Sequence, residues 1–238
     1  MPEPHVSVIV PTYNERDNLA PLAHRLFSTL NPSATELLII DDNSPDGTAD
    51  VARALFNIYP IRYMVRQHQR GLASAVIHGL RAARGELCVV MDADLSHPPE
   101  TIPSMLAAMR DARVQMVIGS RFVRGGRLAC DWPFHRRLNS FVARLLAWPL
   151  TWVADMMSGF FCVRRADLHL DRLRPIGYKI ALELIVRHGW TNVVEVPITF
   201  RDRTAGVSKL NLREQLRYLR HLGRLYLHAA FGHIPGHP

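Results

Sequence analysis

The sequence predicts an α/β fold with a mostly parallel sheet and helices on both of its faces. Two observations lead to this fold class. Across the first 120 residues, short apolar runs rich in β-branched residues alternate with segments of helical periodicity. Polar segments typical of turns and helix caps separate the runs, as βαβ units require. The chain has 238 residues, of which 48% are hydrophobic, and it can therefore bury one core of this kind.

The predicted elements follow one another in a regular order. The strands are VSVIV, LLII, IRYMV, LCVVM and MVIG, and the helices between them cover residues 18–30, 48–57, 72–83 and 100–109. After Ser120 the pattern changes to a basic loop, RFVRGGR, and an aromatic-rich helical stretch over residues 134–154. We expect a catalytic domain over residues 1–208 and a basic amphipathic helix with its tail over residues 209–238.

Composition and charge limit the classes of function. The net charge is +8, and residues 201–238 hold seven cations against two acidic side chains. This local excess indicates an anionic partner, such as phosphate groups, an acidic membrane surface or nucleic acid. Three widely spaced cysteines favour a reducing, cytoplasmic compartment over a disulfide framework. We expect neither a signal peptide nor a membrane span, because MPEPHVSVIVP reads as a first strand and no 18-residue window is apolar throughout.

Three acidic segments follow the first, second and fourth predicted strands: PTYNE, DDNSPDGT and DADLSH. The carboxyl ends of parallel strands share one edge of the sheet, so these segments should converge on one ligand crevice. Three acidic loops there would repel nucleic acid, and we expect no nucleic-acid partner. A nicotinamide-dependent oxidoreductase would carry GxGxxG after the first strand, where this chain has PTYNER.

Asp92 and Asp94 are the strongest chemical signal. In an extended segment, residues two apart point to the same side, so the two carboxylates would face one ion. Such hard oxygen ligands suit Mg²⁺ or Mn²⁺ bridging a substrate diphosphate, and Ser96 is a third candidate ligand. The alternative is an acidic turn in which Asp94 or Ser96 caps the next helix.

The first two acidic segments also offer groups for binding a nucleotide. Asp42 can accept hydrogen bonds from a base or a ribose, and Glu15 is a second acceptor. Pro11 stiffens the turn, and the Tyr13 ring can pack against a base. Turn and cap chemistry explains much of both loops equally well.

Taken together, the motifs resemble a known family. PTYNERDN, LIIDDNSPDGT, VVMDADLSHPP, VIGSRFVRGG and VPITFRDRTAGVSKL, in this order and spacing, look like glycosyltransferase family 2 enzymes of the dolichol-phosphate (polyprenol monophosphate) mannosyltransferase type. The resemblance runs from about Val6 to Leu210 and implies a Rossmann-like fold of GT-A type. The chain departs from the family pattern at Ala73-Ser74, where a glycine often follows GL, and at Phe161, where an arginine is frequent.

The resemblance also implies roles for individual residues. It assigns the nucleotide pocket to Pro11, Tyr13, Glu15, Ile40 and Asp42. It assigns the donor diphosphate and the metal to Asp92, Ala93 and Asp94. It assigns the donor and acceptor phosphates to Arg121, Arg203 and Lys209. With Asp94, these three cations are the expected catalytic residues.

The implied reaction transfers mannose from GDP-mannose to a polyprenyl or dolichyl phosphate, with inversion at the sugar. A phosphate monoester has a second pKa near ~6, so it needs cations to hold it and no general base. The candidate ligands of the acceptor phosphate are Arg121, Arg136, Ser140, Arg203 and Lys209. The alternatives are transfer of glucose from UDP-glucose to undecaprenyl phosphate, and transfer to a sugar hydroxyl with Asp155 or Glu183 as the base.

A lipid acceptor would account for the basic, aromatic second half of the chain. Helical periodicity predicts one apolar face with Leu212, Leu216, Leu219, Leu222 and Tyr226, and another face with Arg213, Arg217, Arg220 and Arg224. Such a helix suits anionic headgroups, although it could instead dock on the domain. Trp132, Trp148 and Trp152 are candidate interfacial anchors. We expect a peripheral protein at the inner face of the membrane, and this arrangement leaves room for a membrane-embedded partner subunit.

Overall fold

A computed structural model of the chain describes residues 4–129, 134–201 and 212–231. Within these residues the chain forms seven α-helices and nine strands. The strands are β1 Val6–Thr12, β2 Thr35–Asp41, β3 Ile61–Val65, β4 Leu87–Val90, β5 Met116–Ser120, β6 Arg127–Leu128, β7 Phe161–Arg164, β8 Val193–Pro197 and β9 Thr199–Phe200. The helices are α1 Arg16–Thr29, α2 Thr48–Phe56, α3 Leu72–Ala82, α4 Ile102–Ala108, α5 Phe134–Ala147, α6 Ile180–His188 and α7 Leu212–Phe231.

Seven of these strands form one sheet in the order β3-β2-β1-β4-β7-β5-β8. The strands pair in parallel except for β7, which is antiparallel to both β4 and β5. The remaining two, β6 and β9, form a separate parallel pair. The predicted mostly parallel sheet is therefore confirmed.

Alternate side chains of the strands enter two different cores. In β2, Leu37 and Ile39 pack on one side of the sheet with α1, α2 and α4. Leu38 and Ile40 pack on the other side with α3, α6 and α7. All four side chains have 0% exposure, because a central strand is covered on both faces. Helices lie on both faces, as predicted.

The fifth helix is shorter than the sequence predicted. We expected a helical stretch over residues 134–154, but α5 ends at Ala147 and a 3-10 turn follows over Trp148–Leu150. Pro149 explains the difference. It has no N–H to donate, and its ring disfavours helical geometry in the residue before it.

The C-terminal helix docks on the domain through a face that differs from the predicted one. Leu222 and Leu225 are 4% and 0% exposed and belong to the core beside α6. Leu216 and Leu219, which we placed on the same face as Leu222, are 59% and 51% exposed. The helix therefore buries one apolar stripe and presents a second one outward. Within the described parts of the chain, no helix is both long and apolar enough to cross a membrane.

Candidate active site

The three acidic loops leave the sheet side by side. β1 lies between β2 and β4, and each loop follows the carboxyl end of one of these strands. Each loop also contains one non-glycine residue with a left-handed backbone, namely Asn14 at φ 59°, Asn43 at φ 57° and Leu95 at φ 61°. For leucine this conformation costs about 1–2 kcal/mol, whereas asparagine tolerates it. Such strain persists where the surrounding contacts hold a loop in one shape, which is common at ligand sites.

Asp41 ties the loops after β1 and β2 together. It is 1% exposed, and its carboxylate accepts hydrogen bonds from the Thr12 hydroxyl at 2.9 Å and from the Ser44 backbone N–H and hydroxyl at 2.8 and 2.6 Å. The Ser44 Oγ in turn accepts from the Asn14 N–H at 2.9 Å. Asp41 is thus a structural group that sets the positions of its neighbours in both loops.

Asp42, the candidate acceptor for a base or ribose, lies in a buried ion pair. The Arg66 guanidinium donates to Asp42 Oδ1 through Nη2 and, at 2.7 Å, through Nε, and the Gly71 N–H donates to Oδ2 at 2.7 Å. The Arg66 and Asp42 side chains are only 5% and 9% exposed. Arg66 Nη1 also donates to the Ser74 hydroxyl at 3.1 Å, so this departure from the family pattern belongs to the same network. The ion pair holds the Asp42 carboxylate in one orientation.

The other residues of the candidate nucleotide pocket lie in β1, β2 and the loop that follows β1. Pro11 and Ile40 are opposite each other in the register of β1 and β2, and both are buried. Tyr13 is 38% exposed, and the Arg70 guanidinium lies 5.1 Å from the centre of its ring. Glu15 accepts a hydrogen bond from the Asn18 amide at 2.7 Å. The structure therefore brings all five predicted residues to the carboxyl ends of two adjacent strands.

The segment Asp92-Ala93-Asp94 is a bend and not an extended strand, because β4 ends at Val90. The local geometry from which we argued that both carboxylates face one side was therefore wrong. Asp94 is 7% exposed and accepts a hydrogen bond from the Ser96 N–H at 3.1 Å within the turn. The N-cap residues of the following 3-10 turn and of α4 are Pro98 and Thr101, and neither end has a side-chain cap, so the alternative in which Asp94 or Ser96 caps the next helix was wrong. The Asp92 side chain is more accessible, at 29%.

His97 and Gly159 shape the surroundings of Asp92. The Nδ1 of His97 accepts a hydrogen bond from the Asp92 N–H at 3.0 Å, and the ring stacks on Phe160 with centroids 5.2 Å apart. A Cβ atom on Gly159 would lie 3.6 and 3.7 Å from the two Asp92 carboxylate oxygens. The imidazole thus orients the backbone of Asp92, and the glycine leaves space beside its carboxylate.

Asp92 and Asp94 fit a hard divalent cation that also takes ligands from a substrate. Carboxylate oxygens are the donors that Mg²⁺ and Mn²⁺ prefer. Across the residues that the structure describes, no group of three or more His, Cys, Asp and Glu side chains could hold a metal alone. Mg²⁺ commonly binds one or two carboxylates and completes its shell with water and substrate phosphates. Ser96, the third predicted ligand, is 2% exposed in the same turn.

Arg121 follows β5 and forms a bidentate ion pair with Asp155. Arg121 Nε and Nη2 donate to the two Asp155 oxygens at 2.8 and 2.7 Å, and the Arg121 N–H donates to Oδ2 at 2.9 Å. The two side chains are 12% and 0% exposed. The Asp155 N–H donates in turn to Glu195 at 2.9 Å. The predicted phosphate ligand is therefore held in place by a carboxylate that balances its charge.

Lys179 is a cation of this region that the sequence analysis missed. It is the N-cap residue of α6. Burial and the charge of Arg121 lower the pKa of Lys179 to about 7, while Asp155 and Asp92 act in the opposite direction. The sequence distinguishes Lys179 only by its residue type, because 27 of the 29 lysine and arginine residues are arginines.

Arg144 of α5 is a second cation that was not predicted. Its guanidinium lies 4.0 Å from the centre of the Phe122 ring, and the Arg121 guanidinium lies 5.3 Å from the same centre. The Arg144 Nε is buried and has no hydrogen-bond partner among the residues that the structure describes. Ser140, one of the predicted acceptor residues, lies one turn earlier on the same face of α5.

Three of the predicted phosphate ligands cannot be placed. Arg203 and Lys209 lie outside the described residues, and of Arg136 only the backbone in α5 is described. They remain predictions. Arg121 and Ser140 are the members of that set whose side chains the structure locates.

The acidic loops, with Arg66 and Arg70 in contact with them, lie at one edge of a mostly parallel sheet. Residues 7–170, more than half of the chain, match the model of Glycosyl transferase family 2. The chain belongs to this family and is a glycosyltransferase.

Within the family, the chain is similar to dolichol-phosphate mannosyltransferases. The protein of that name from Mycosarcoma maydis is 43% identical over 98% of this chain and 82% of its own length. The Saccharomyces cerevisiae protein is 42% identical over 93% of this chain and 86% of its own length. The Pyrococcus furiosus protein is 43% identical over 92% of this chain, which spans 63% of that protein. These relatives confirm the type of enzyme that the motifs resembled.

Solved structures confirm the fold. Glucosyl-3-phosphoglycerate synthase from Mycobacterium tuberculosis, in complex with Mn²⁺, UDP and glucosyl-3-phosphoglycerate, superposes with a TM-score of 0.69 at 22% identity. The match covers 95% of this chain and 79% of that one. The same enzyme with Mn²⁺, UDP-glucose and phosphoglyceric acid gives a TM-score of 0.70 at 21% identity, over 93% and 80% of the two chains. The GT-A type of fold is therefore shared.

Proposed function

We propose that this protein transfers mannose from GDP-mannose to the phosphate of a polyprenyl or dolichyl lipid, giving polyprenyl-phosphate mannose. One observation carries the proposal. A sheet edge that holds the Asp92 and Asp94 carboxylates in one turn, with Arg121 following a parallel strand at the same edge, occurs in a chain 42–43% identical to dolichol-phosphate mannosyltransferases.

On the donor side, the loops after β1 and β2 bind the nucleotide. The Asp42 carboxylate, oriented by Arg66, accepts hydrogen bonds from the base or the ribose, and the exposed Tyr13 ring packs against the base. The Asp92-Ala93-Asp94 turn faces the diphosphate. When bound, a divalent cation held by Asp92 and Asp94 supplies positive charge that stabilises the departing diphosphate.

On the acceptor side, the site favours a phosphate over a hydroxyl. A hydroxyl acceptor would need a general base, for which Asp155 and Glu183 were the candidates. Both oxygens of Asp155 accept hydrogen bonds from Arg121. Glu183 is 0% exposed and is bound by His221, Arg187 and the Arg174 N–H. Neither carboxylate is placed to take a proton from a substrate hydroxyl. A phosphate acceptor is already largely deprotonated at neutral pH and needs no general base.

The reaction is a single displacement. An oxygen of the acceptor phosphate attacks the anomeric carbon of mannose while the bond from that carbon to the diphosphate oxygen breaks, and GDP leaves with the bonding electron pair. One displacement converts the α-linked donor to a β-linked product. Arg121, with Arg136, Ser140, Arg203 and Lys209, holds the attacking phosphate.

The lipid part of the acceptor is accommodated by the outer face of α5 and α7. The two helices contact each other, since the Tyr218 hydroxyl donates to the Ala143 carbonyl at 2.7 Å and the Tyr226 hydroxyl to the Leu146 carbonyl at 2.6 Å. The two helices and the 3-10 turn after α5 expose large apolar side chains at Leu138, Phe141, Leu145, Trp148, Leu216, Leu219 and Leu227. The arginines at positions 217, 220 and 224 are exposed beside them. We propose that this outer face lies on the cytoplasmic surface of an anionic membrane.

The proposed reaction is tested with purified protein, Mn²⁺, a polyprenyl phosphate and either GDP-mannose or UDP-glucose, with the glycosylated lipid measured by mass spectrometry. We expect product from GDP-mannose and none after Asp94→Ala. The matched control is Asp171→Ala, because the Asp171 side chain is 100% exposed on the surface. Product from UDP-glucose alone would replace the donor, and a product that keeps the α configuration by NMR would overturn the single displacement.

The membrane face is tested by flotation with liposomes that contain anionic lipid. Replacing Leu216, Leu219 and Leu227 with serine should abolish flotation, because the apolar stripe would be lost. Replacing the arginines at 217, 220 and 224 with glutamate should weaken flotation with anionic liposomes, because three cations that attract the headgroups become anions that are repelled. Unchanged flotation of both variants would refute this face as the anchor.

A further inference from the structure

The turn that carries Asp92 and Asp94 includes a strained residue. Leu95 has a φ of 61°, which costs a leucine about 1–2 kcal/mol, and such a conformation persists only where other contacts hold it. One of these contacts is the bond from the Ser96 N–H to Asp94 Oδ1 at 3.1 Å. Its acceptor is a candidate metal ligand, so this bond does not hold the turn independently of the metal.

His97 supplies a contact that involves neither carboxylate. Its Nδ1 accepts a hydrogen bond from the Asp92 N–H at 3.0 Å, and this bond closes the turn between its first and last residues. The same Nδ1 lies 3.9 Å from Asp92 Oδ2, which is beyond hydrogen-bonding distance. The imidazole therefore fixes the backbone of Asp92 without occupying the carboxylate that a metal would bind.

Aromatic packing fixes the position of the imidazole itself. His97 is 3% exposed. Its ring stacks on Phe160, with centroids 5.2 Å apart and an interplanar angle of 15°, and it meets the Phe200 ring edge-on at 6.0 Å. Phe160 directly precedes β7, and Phe200 is the last residue of β9. Two segments remote in sequence thus hold the His97 acceptor against the Asp92 N–H.

We propose that His97 is a positioning residue for the donor diphosphate and its metal, acting through Asp92. It holds the turn in one shape, so that Asp92 and Asp94 are ordered before the cation and the diphosphate bind. The inference rests on the proposed function, in which these two carboxylates hold the cation. A residue that orients a metal ligand in this way contributes to metal affinity, and its loss typically costs about tenfold to hundredfold.

Two substitutions separate the hydrogen bond from the aromatic packing. His97→Phe keeps a ring beside Phe160 and removes the acceptor. His97→Asn removes the ring but keeps an acceptor, because its Oδ1 is bonded to Cγ as Nδ1 is in histidine. In calorimetry with Mn²⁺, His97→Phe should weaken GDP binding about tenfold or more, and His97→Asn should restore most of that loss. With EDTA in place of Mn²⁺, GDP should bind all three proteins equally, since the loops after β1 and β2 are unaltered.

His188→Phe is the matched control. The Nε2 of His188 accepts a hydrogen bond from the His169 N–H at 2.9 Å, and the two rings stack with centroids 5.8 Å apart. The same kind of bond is therefore lost, but at the opposite end of α3 from Asp42: His169 lies beside Arg81, whereas the Gly71 N–H donates to Asp42. His188→Phe should lower the stability and leave the effect of Mn²⁺ on GDP binding unchanged.

The proposal is overturned if Mn²⁺ strengthens GDP binding equally in His97→Phe and the wild type, if His97→Asn binds no better than His97→Phe, or if His188→Phe loses as much. UDP replaces GDP if only UDP binds the wild type. If His97→Phe does not fold, or if neither nucleotide binds, the tautomer of His97 in the wild type decides. An Nδ1 that accepts a hydrogen bond carries no proton, so long-range proton–nitrogen NMR should find the proton of the neutral ring on Nε2, and a proton on Nδ1 would overturn the proposal. These measurements do not require mannose transfer, so Mn²⁺-dependent binding without transfer would refute the proposed reaction and leave the role of His97 intact.

Discussion

The Arg121–Asp155 ion pair allows a quantitative test of how the candidate phosphate ligand is held. The perturbation is Asp155→Asn, which preserves the size of the side chain and removes its charge. Arg121 is only 12% exposed and Asp155 is 0% exposed, so the variant leaves a largely buried guanidinium without its counterion. Breaking a buried pair in this way costs about 3–5 kcal/mol. For a chain of this size, each kcal/mol lowers Tm by about 2–4 °C, so we expect a decrease of about 6–20 °C.

The assay is urea denaturation followed by circular dichroism, together with thermal melts. The matched control is Asp171→Asn, which breaks the pair between Arg81 and Asp171, where the side chains are 59% and 100% exposed. Exposed pairs contribute little, and we expect no measurable change in the control. Replacing both members of the buried pair by apolar residues, Arg121→Met with Asp155→Leu, should recover part of the loss, since no charge is then left unpaired. A single variant as stable as the control, or a double variant no better than the single, would refute the reasoning.

Three further predictions concern the rest of the fold. Arg66→Met should lower both the stability and the affinity for GDP, because it leaves the Asp42 carboxylate buried without a counterion; calorimetry with Mn²⁺ present checks this, and wild-type affinity would contradict it. Burial opposes ionisation of Glu183, but hydrogen bonds from His221 and a backbone N–H outweigh it and hold the pKa of Glu183 below its ordinary value of 4.5. The stabilisation is thus present above that value and is lost as the pH falls below it, so Tm should decrease more steeply on acidification in the wild type than in Glu183→Gln. Gly79→Ala should be destabilising by about 1–3 kcal/mol in spite of its better helix propensity, because the new Cβ would lie 2.4 Å from a side chain of β1; a higher Tm would contradict that packing.

The elements that the sequence predicted well are those with a strong local pattern. The five apolar runs in the first half of the chain are all strands, and β3 begins and ends where IRYMV predicted it. Consecutive residues in these strands are apolar, and do not alternate with polar ones, because helices cover both faces of the sheet. The predicted length of α5 was wrong, although Pro149 is visible in the sequence and marks the point where the helix ends. A proline is a strong local signal for the end of a helix. The predicted helix nevertheless ran past Pro149, because the aromatic and apolar pattern continues to residue 154.

The sequence motifs predicted which loops form the site, but they did not predict the ion pairs within it. Acidic loops at the ends of three strands were expected to converge, and they do. The counterions of their carboxylates were not expected. Arg66 binds Asp42 from 24 residues away, and Asp155 binds Arg121 from 34 residues away. No local period relates such positions, so only the folded arrangement reveals the pairs.

The sequence alone determined the α/β class, the order of the elements, the edge at which the loops meet and the family of enzymes. These features depend on periodicity, turn chemistry and motif spacing, which act between neighbours along the chain. The tertiary structure decided which charges are neutralised and which face of α7 is buried. Those properties depend on burial and on distances between segments remote in sequence. They arise only when β5, β7 and α6 are assembled around the same edge of the sheet.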